Sequence, residues 1–211
     1  PDVGGSYFLP RLPGKFGTYL ALTGSPIGLA DAMALGIMDA HVPAARFDTL
    51  VARLSEGVDV DEAIAAETAA LPEPSLLRQK HFIEDCFAQA SVAAILDKVD
   101  AASQAGSPFA TQTLETIRSR SPTSLAIALR QMQLGPALDL EAALRLEFCL
   151  GQHVVRGRDY YEGVRTVLID KNDVPKWSPA EISQVKASDI EAYFAPLAEG
   201  ELTFSDPVAP A

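Results

Sequence analysis

Cysteine, histidine and positive charge are all scarce in this chain of 211 residues. It has two cysteines and three histidines, and neither cysteine lies in a CxxC or Cys/His spacing. This pattern excludes a disulfide framework and argues against a metal site. The chain has 28 acidic and 17 basic residues, which gives a formal net charge of −11. We therefore expect no nucleic-acid partner, because phosphate contacts require a basic surface.

Long apolar runs are also missing. No stretch reaches the ~18 uninterrupted apolar residues of a membrane span, and the start has no positively charged, apolar signal sequence. These absences predict a protein that is neither membrane-bound nor secreted, located in the bacterial cytoplasm or the mitochondrial matrix. The chain opens on Pro1 without an initiator Met, which predicts the later part of a longer protein.

What the chain has in quantity is apolar residues at helical spacing. The apolar set makes up 48% of the sequence, enough for the core of one or two domains. Four stripes predict amphipathic helices: Phe47/Leu50/Val51/Leu54, Val92/Ile95/Leu96/Val99, Leu125/Ala128/Leu129/Met132 and Leu140/Leu144/Phe148/Gly151/Val155. Helix starts are predicted at Ser107-Pro108, at Ser121-Pro122 and at a capping box formed by Ser178 and Glu181.

Strand signals are few, and residues 37–42 give the best of them. A chain so helical, with one short strand, predicts part of an α+β protein whose sheet-rich half lies ahead of residue 1. Residues 71–74, Leu-Pro-Glu-Pro, predict an extended linker. We therefore expect two regions, 1–70 and 75–211, with a frayed tail over residues 204–211.

Two segments carry residues suited to chemistry. In Pro1-Asp2-Val3-Gly4-Gly5, an acid and a Gly-Gly turn set a carboxylate at the mouth of a helix, where free N–H groups favour negative charge. An Asp that merely satisfies those N–H groups is the alternative interpretation. Residues 156–176 hold five basic and four acidic side chains. This slightly positive segment could bind phosphates, although an ordinary solvent-exposed helix face would have a similar charge composition.

Four separated motifs resemble the crotonase, or enoyl-CoA hydratase/isomerase, superfamily, and in their specific form the 3-hydroxyisobutyryl-CoA hydrolases. They are PDVGGSYFLPRLPGKFGTYLALTG from Pro1, SPTSLAIALRQM from Ser121, LEAALRLEFCL from Leu140 and RGRDYYEGVRTVLIDKNDVPKWSP from Arg156. The first block is shared with the hydratases, whereas the SPTSL block and the IDK…PKW ending are typical of the hydrolase branch.

The resemblance implies a crotonase-like (ClpP/crotonase) α+β fold and hydrolysis of an acyl-CoA thioester. Asp2 matches the Asp of the family's PDVGG motif, so it is implied to be catalytic and substrate-binding. The partner Glu and both oxyanion-hole loops would precede Pro1, so this portion alone is expected to be inactive without the N-terminal half. No metal or redox cofactor is implied, because CoA is part of the substrate.

The resemblance also implies a phosphate contact. Lys171, together with Arg165, aligns with a late-helix stretch that approaches the CoA phosphates in the superfamily, although Lys171 comes one position late. A solvated lysine favoured by the helix dipole is the alternative interpretation.

Two alternatives to the hydrolase stay open. Enoyl-CoA hydration or isomerisation would keep the fold, although hydratases normally place a Glu where this chain has Asp2. The other alternative is a non-catalytic helical module, because related crotonases use C-terminal helices to trimerise. Such a module would form a homo-oligomer.

Overall fold

The computed structural model describes residues 1–171 and 173–204, and this part of the chain is mainly helical. Its α-helices are α1 Gly5–Phe8, α2 Phe16–Thr23, α3 Leu29–Ala34, α4 Phe47–Ser55, α5 Val60–Glu67, α6 Lys80–Phe87, α7 Val92–Gln104, α8 Pro108–Arg118, α9 Pro122–Leu134, α10 Leu140–Val154, α11 Arg158–Val164 and α12 Ala187–Tyr193. Short 3-10 turns occupy Leu9–Arg11, Ala44–Arg46, Leu76–Gln79, Gly135–Ala137 and Ile182–Gln184, and a π-turn occupies Arg165–Ile169. Residues 205–211, most of the tail predicted to fray, lie outside the described residues.

Two of the predicted helix starts are confirmed. Ser107 Oγ accepts the N–H of Ala110 at 3.3 Å, and Ser121 Oγ accepts the N–H of Ser124 at 3.2 Å. The proline after each serine is the first residue of α8 and of α9. Most residues of the apolar stripes on α7 and α9 are buried, so these two amphipathic helices are confirmed as well.

The capping box predicted at Ser178 and Glu181 is wrong, because no α-helix begins there. The N–H of Ser178 donates to Asp159 Oδ1 at 2.9 Å, and the ring N–H of Trp177 donates to a backbone carbonyl after α8 at 3.0 Å. These long-range bonds hold the segment in an irregular path. A capping box forms three residues later instead, where Glu181 and Gln184 enclose a 3-10 turn.

The chain divides into two compact units. The first consists of residues 1–24 and the described residues from 82 onward, and the second consists of Ser25–His81. The opening segment therefore groups with the late helices rather than with residues 25–70, which differs from the boundary predicted between residues 70 and 75.

In the first unit, helices distant in sequence share one core. α7 packs on α8, α2 packs on α8 and α9, and α10 packs on α1 and α12. Phe16 and Phe87 are each 1% exposed, and the ring of Tyr19 meets that of Phe87 edge-on at 5.3 Å. A smaller cluster of Ile127, Leu150 and Ile190 joins α9, α10 and α12. This packing brings α1 against α10.

Two glycines allow backbone segments of the first unit to approach closely. A Cβ on Gly17, near the start of α2, would overlap the carbonyl group of Leu9. A Cβ on Gly135 would overlap the carbonyl oxygen of Ser6 and lie 2.5 Å from Cγ of Pro10. Only glycine fits at these positions, since backbone atoms cannot swing aside as a side chain can.

In the second unit, the strand predicted at residues 37–42 is wrong, because the segment is irregular. Gly36, with φ +73°, follows α3, and its N–H donates to the carbonyl of Met33 at 3.0 Å. The N–H of Ile37 donates to the carbonyl of Ala32 at 2.9 Å, completing a Schellman motif. The motif turns the chain where the strand was expected to start, and the described residues contain no strand with which it could pair.

The helix predicted from the stripe at Phe47 is confirmed as α4, but its apolar face is not buried. Phe47 is 51% exposed and Val51 60% exposed. The linker predicted at 71–74 is confirmed as irregular chain between α5 and a 3-10 turn. In the same unit Asp31 is buried and accepts the N–H of Leu76 at 2.7 Å, which fixes the chain just after that linker.

Candidate functional site

Asp2 lies on a tight turn that leads into α1. Val3 has φ +48° and Gly4 has φ +88°, and the Gly5 N–H donates to the Asp2 carbonyl at 2.8 Å. The left-handed conformation is easy for glycine, but at a β-branched valine it costs on the order of 1–3 kcal/mol, and such strain clusters at functional sites. The Asp2 side chain is exposed and has no hydrogen-bond partner among the described residues, so it is free to meet a ligand.

The N–H groups at the start of α1, which have no partner within the helix, donate to the side chain of Glu147. Its Oε2 accepts the N–H of Gly4 at 2.8 Å, and its Oε1 accepts the N–H of Ser6 at 2.6 Å. Glu147 is 8% exposed, in the middle of α10. The interpretation that Asp2 merely satisfies these N–H groups is therefore wrong, because Glu147 takes that role.

Gln131 of α9 holds the same turn from its other side. It is 2% exposed, and its Nε2 donates to the carbonyl of Pro1 at 2.8 Å and to Ser6 Oγ at 2.7 Å. One side-chain amide thus bonds the chain both before and after Asp2.

Sequence reasoning missed Glu147 because the predicted stripe on α10 is rotated from the buried face. That stripe ran along Leu140, Leu144 and Phe148, but Leu140 is 49% exposed. The buried face holds Ala143, Glu147 and Leu150. Amphipathic periodicity assigns a carboxylate to the solvent-facing side of a helix. The available signal was that Ala143 and Leu150 continue a helical stripe through Glu147.

A cavity of about 370 Å³ opens beside Asp2, and Gln131 and Glu147 form part of its lining. An open cleft of about 720 Å³ adjoins it, since Ser124, Ile127 and Val154 line both. The cleft is lined further by Trp177 and Tyr160, among others. The exposed carboxylate of Asp2 therefore lies at a space with both apolar and polar walls that is large enough for a small acyl group.

Arg165 is surrounded by three carboxylates. Its guanidinium donates to Glu162 at 2.7 and 2.9 Å, to Asp170 at 2.9 Å and to Asp173 at 2.7 Å. These hydrogen bonds lower the pKa of Glu162 to about 2, hold the pKa of Asp173 below its usual range and raise the pKa of the guanidinium. A phosphate would have to displace one of these carboxylates to reach Arg165.

Replacing Glu162 with Gln is expected to destabilise the protein at neutral pH and to have little effect in acid. The folded-state pKa of about 2 lies below the ordinary 4.5. The stabilisation by the ionised group is therefore complete above about pH 5 and is lost as the pH falls towards 2. Melting temperatures of wild type and Glu162→Gln should differ at about pH 7, differ less at about pH 3 and converge only near and below about pH 2. Glu115→Gln, an exposed site on α8, is the control, and a gap independent of pH would contradict the ion-pair interpretation.

Lys171 lies just after the π-turn and is exposed. Neither Lys171 nor Arg165 is among the described residues that line the cavity beside Asp2. The structure therefore does not bring the three predicted site residues together around that cavity, and the role of each stays a prediction.

The cysteines and histidines form no constellation. Burial raises the pKa of Cys86 and Cys149, which opposes the thiolate that a nucleophile needs. Among the described residues, no group of His, Cys, Asp or Glu side chains could hold a metal ion, and no helix is long and apolar enough to cross a membrane.

A family model described as "Enoyl-CoA hydratase/isomerase" matches residues 1–194 of the chain. Among curated proteins, the "3-hydroxyisobutyryl-CoA hydrolase, mitochondrial" of Rattus norvegicus is 38% identical over 214 residues, which cover 97% of this chain and 55% of the rat protein. The Homo sapiens protein of the same name gives the same three percentages. The chain thus spans about half the length of the curated relatives it matches.

Two solved structures have the same arrangement of helices. A carnitinyl-CoA dehydratase from Mycobacterium thermoresistibile matches with a TM-score of 0.88 and 36% identity, over 98% of this chain and 58% of that one. An enoyl-CoA hydratase from Rhodobacter sphaeroides 2.4.1 matches with a TM-score of 0.84 and 34% identity, over 97% and 58%.

Proposed function

Because the chain belongs to the enoyl-CoA hydratase/isomerase family and shares the fold of its crotonase-like members, we propose that it is the C-terminal portion of a 3-hydroxyisobutyryl-CoA hydrolase. The observation that carries the proposal is the accessible Asp2 carboxylate, held at a cavity in a chain 38% identical to the rat protein of that name. The reaction yields 3-hydroxyisobutyrate and CoA, a step of valine breakdown. The sheet-rich core expected ahead of residue 1 is part of this proposal.

In the proposed reaction, a water oxygen adds to the thioester carbonyl carbon and the C–S bond then breaks. The acyl group leaves as a carboxylate, and the CoA sulfur takes a proton to leave as the thiol. Negative charge on the carbonyl oxygen is stabilised by the two oxyanion-hole N–H groups that the family resemblance assigns to the preceding half. No metal or redox group takes part in this scheme, since CoA belongs to the substrate.

Asp2 binds the 3-hydroxyl of the substrate and positions or deprotonates the attacking water. The turn fixes the backbone of Asp2, whereas the Asp2 carboxylate has no hydrogen-bond partner among the described residues. This arrangement suits a group that must contact both substrate and water. The preceding Glu acts either as a nucleophile towards the carbonyl or as a base towards water, two roles that the resemblance leaves open.

The experiment is a two-substrate assay of the full-length protein. We expect CoA release, followed with a thiol reagent, on 3-hydroxyisobutyryl-CoA, and little loss of enoyl absorbance on crotonyl-CoA. The 211-residue chain alone, assayed beside it, should release no CoA because it lacks the oxyanion hole. Release by the isolated chain would contradict the assignment of the hole to the preceding half.

Hydration of an enoyl-CoA is the second candidate, favoured by the two solved structures, a hydratase and a dehydratase. It keeps the fold and the CoA contacts but adds water across a carbon–carbon double bond. Rapid absorbance loss on crotonyl-CoA without CoA release would replace the hydrolase proposal with this one.

Lys171 is proposed to contact the CoA phosphates, and its replacement by Ala is expected to raise KM about two- to fivefold at low salt. An exposed ion pair is worth up to about 1 kcal/mol, and it binds the ground and transition states alike, so kcat should hardly change. The increase should shrink at high salt through screening. Lys186→Ala, at another exposed lysine, is the control. An unchanged KM at both salt concentrations would leave Lys171 a solvated side chain.

A phosphate contact by Arg165 stays a weaker proposal, because its three carboxylate partners already hold the guanidinium. A homo-oligomer and a location in the bacterial cytoplasm or the mitochondrial matrix also stay predictions. The rat and human relatives carry "mitochondrial" in their names.

A further inference from the structure

We infer that Glu147 and Gln131 are positioning residues, which set the carboxylate of Asp2 in place for catalysis by fixing the turn on which it stands. The inference rests on the proposed function, because it presumes that Asp2 meets the substrate. It adds two buried polar side chains, from α10 and α9, to the machinery of the site.

Glu147 fixes the turn on the side that follows Asp2. Its two oxygens take the N–H groups of Gly4 and Ser6 at 2.8 and 2.6 Å, one each. Hydrogen bonds to an ionised group are roughly twice as strong as neutral ones, and burial keeps water from competing for them. Each oxygen of the carboxylate thus accepts a backbone N–H of the turn, which assigns Glu147 to holding the turn that carries Asp2.

Gln131 fixes the turn on both sides of Asp2. Its amide donates to the carbonyl of Pro1 at 2.8 Å and to Ser6 Oγ at 2.7 Å. The peptide group directly before Asp2 is therefore bonded to α9, while the residues after it are bonded to both helices. Asp2 and Val3 lie between the two sets of bonds.

Bonds from outside the turn favour a backbone conformation that is strained at Val3. Val3 is 89% exposed and has φ +48°, a conformation that a β-branched residue leaves when it is not held. A catalytic group displaced by about 1 Å can lose on the order of 100-fold in rate. The two buried partners together fix the backbone position from which the Asp2 carboxylate projects.

The test is a double-mutant cycle in the full-length hydrolase, with 3-hydroxyisobutyryl-CoA as substrate. Glu147→Gln keeps the shape but presents an N–H₂ group to one of the two N–H donors. We expect kcat to fall about tenfold with KM changed less than about twofold. In the Asp2→Asn background the same substitution should lower kcat less than about threefold, because nothing remains to be positioned. Glu141→Gln, an exposed site on the same helix, is the matched control.

Hydrogen exchange of the peptide that spans residues 2–8 gives a readout independent of turnover. Its amides should exchange at least about tenfold faster in Glu147→Gln than in wild type, and not in Glu141→Gln. Gln131→Leu, similar in volume but without donors, should show the same pattern with a smaller loss of kcat. If Glu147→Gln does not fold, the Gln131→Leu variant is used for the test instead.

The outcomes separate the inference from the proposed function. Normal kcat in Glu147→Gln and Gln131→Leu, beside a large loss in Asp2→Asn, would overturn the inference and leave the function standing. A loss that is fully additive with Asp2→Asn would also overturn it, because Glu147 would then act on its own. Unchanged turnover in Asp2→Asn would overturn the proposed function and the inference together.

Discussion

If the full-length protein is the proposed hydrolase, replacing Asp2 with Asn in it is expected to lower kcat about 100-fold or more. The substitution keeps the size and shape of the side chain but removes the charge that binds or deprotonates the attacking water, and a lost acid or base group typically costs 10²–10⁴-fold. Since the Asp2 side chain is exposed and has no hydrogen-bond partner among the described residues, the melting temperature of the 211-residue chain should stay unchanged. Loss of activity without loss of stability would separate a chemical role from a structural one.

The control is Asp97→Asn, which makes the same chemical change at an exposed position of α7. Its kcat should equal that of wild type. A kcat of Asp2→Asn within about threefold of wild type would contradict the catalytic assignment. A fall in the melting temperature of Asp2→Asn would indicate that the turn itself depends on the carboxylate.

Replacing Gly17 with Ala is expected to destabilise the protein on the order of 3 kcal/mol. Alanine in a helix normally gains about 1 kcal/mol over glycine, so helix propensity alone predicts the opposite sign. At Gly17 the new methyl group would overlap the carbonyl of Leu9, and α2 must separate from the preceding turn to admit it. Urea unfolding with an unchanged m-value would report the free-energy difference.

Gly151→Ala is the matched control because Gly151 also lies in a helix, α10, and a Cβ there meets nothing within 4 Å. This substitution should stabilise the protein by up to about 1 kcal/mol through propensity and the reduced entropy of the unfolded chain. Two Gly→Ala changes of the same sign would contradict the role assigned to the close approach at Gly17.

The helices that could be predicted are those whose signals are local. Ser107 and Ser121 each cap a helix that opens on a proline, and both act within a single turn of chain. Local signals could not decide whether residues 37–42 form a strand, because a strand requires a partner strand elsewhere in the chain. In the structure, a Schellman motif at Gly36 turns the chain instead. The capping box at Ser178 failed because a distant carboxylate, Asp159, takes the N–H group of that serine.

Only the part of the candidate site that lies in a recognisable sequence motif could be predicted. Asp2 was found from its place in a motif, and nothing nearby in the sequence pointed to its supports. Glu147 and Gln131 are polar residues on buried helix faces, and amphipathic periodicity assigns polar residues to solvent. Their hydrogen bonds to the turn form only when helices far apart in sequence are packed together.

The distance along the chain between Asp2 and its supports has a consequence for biosynthesis. The bonds from Glu147 to the turn close loops of 143 and 141 residues. At the usual speed of translation, about 5–20 residues per second, the turn is made roughly 7–30 s before Glu147 exists. During that interval the nascent polypeptide contains the turn but not the carboxylate that accepts its N–H groups. The turn therefore acquires its full set of hydrogen bonds only after α10 has left the ribosome.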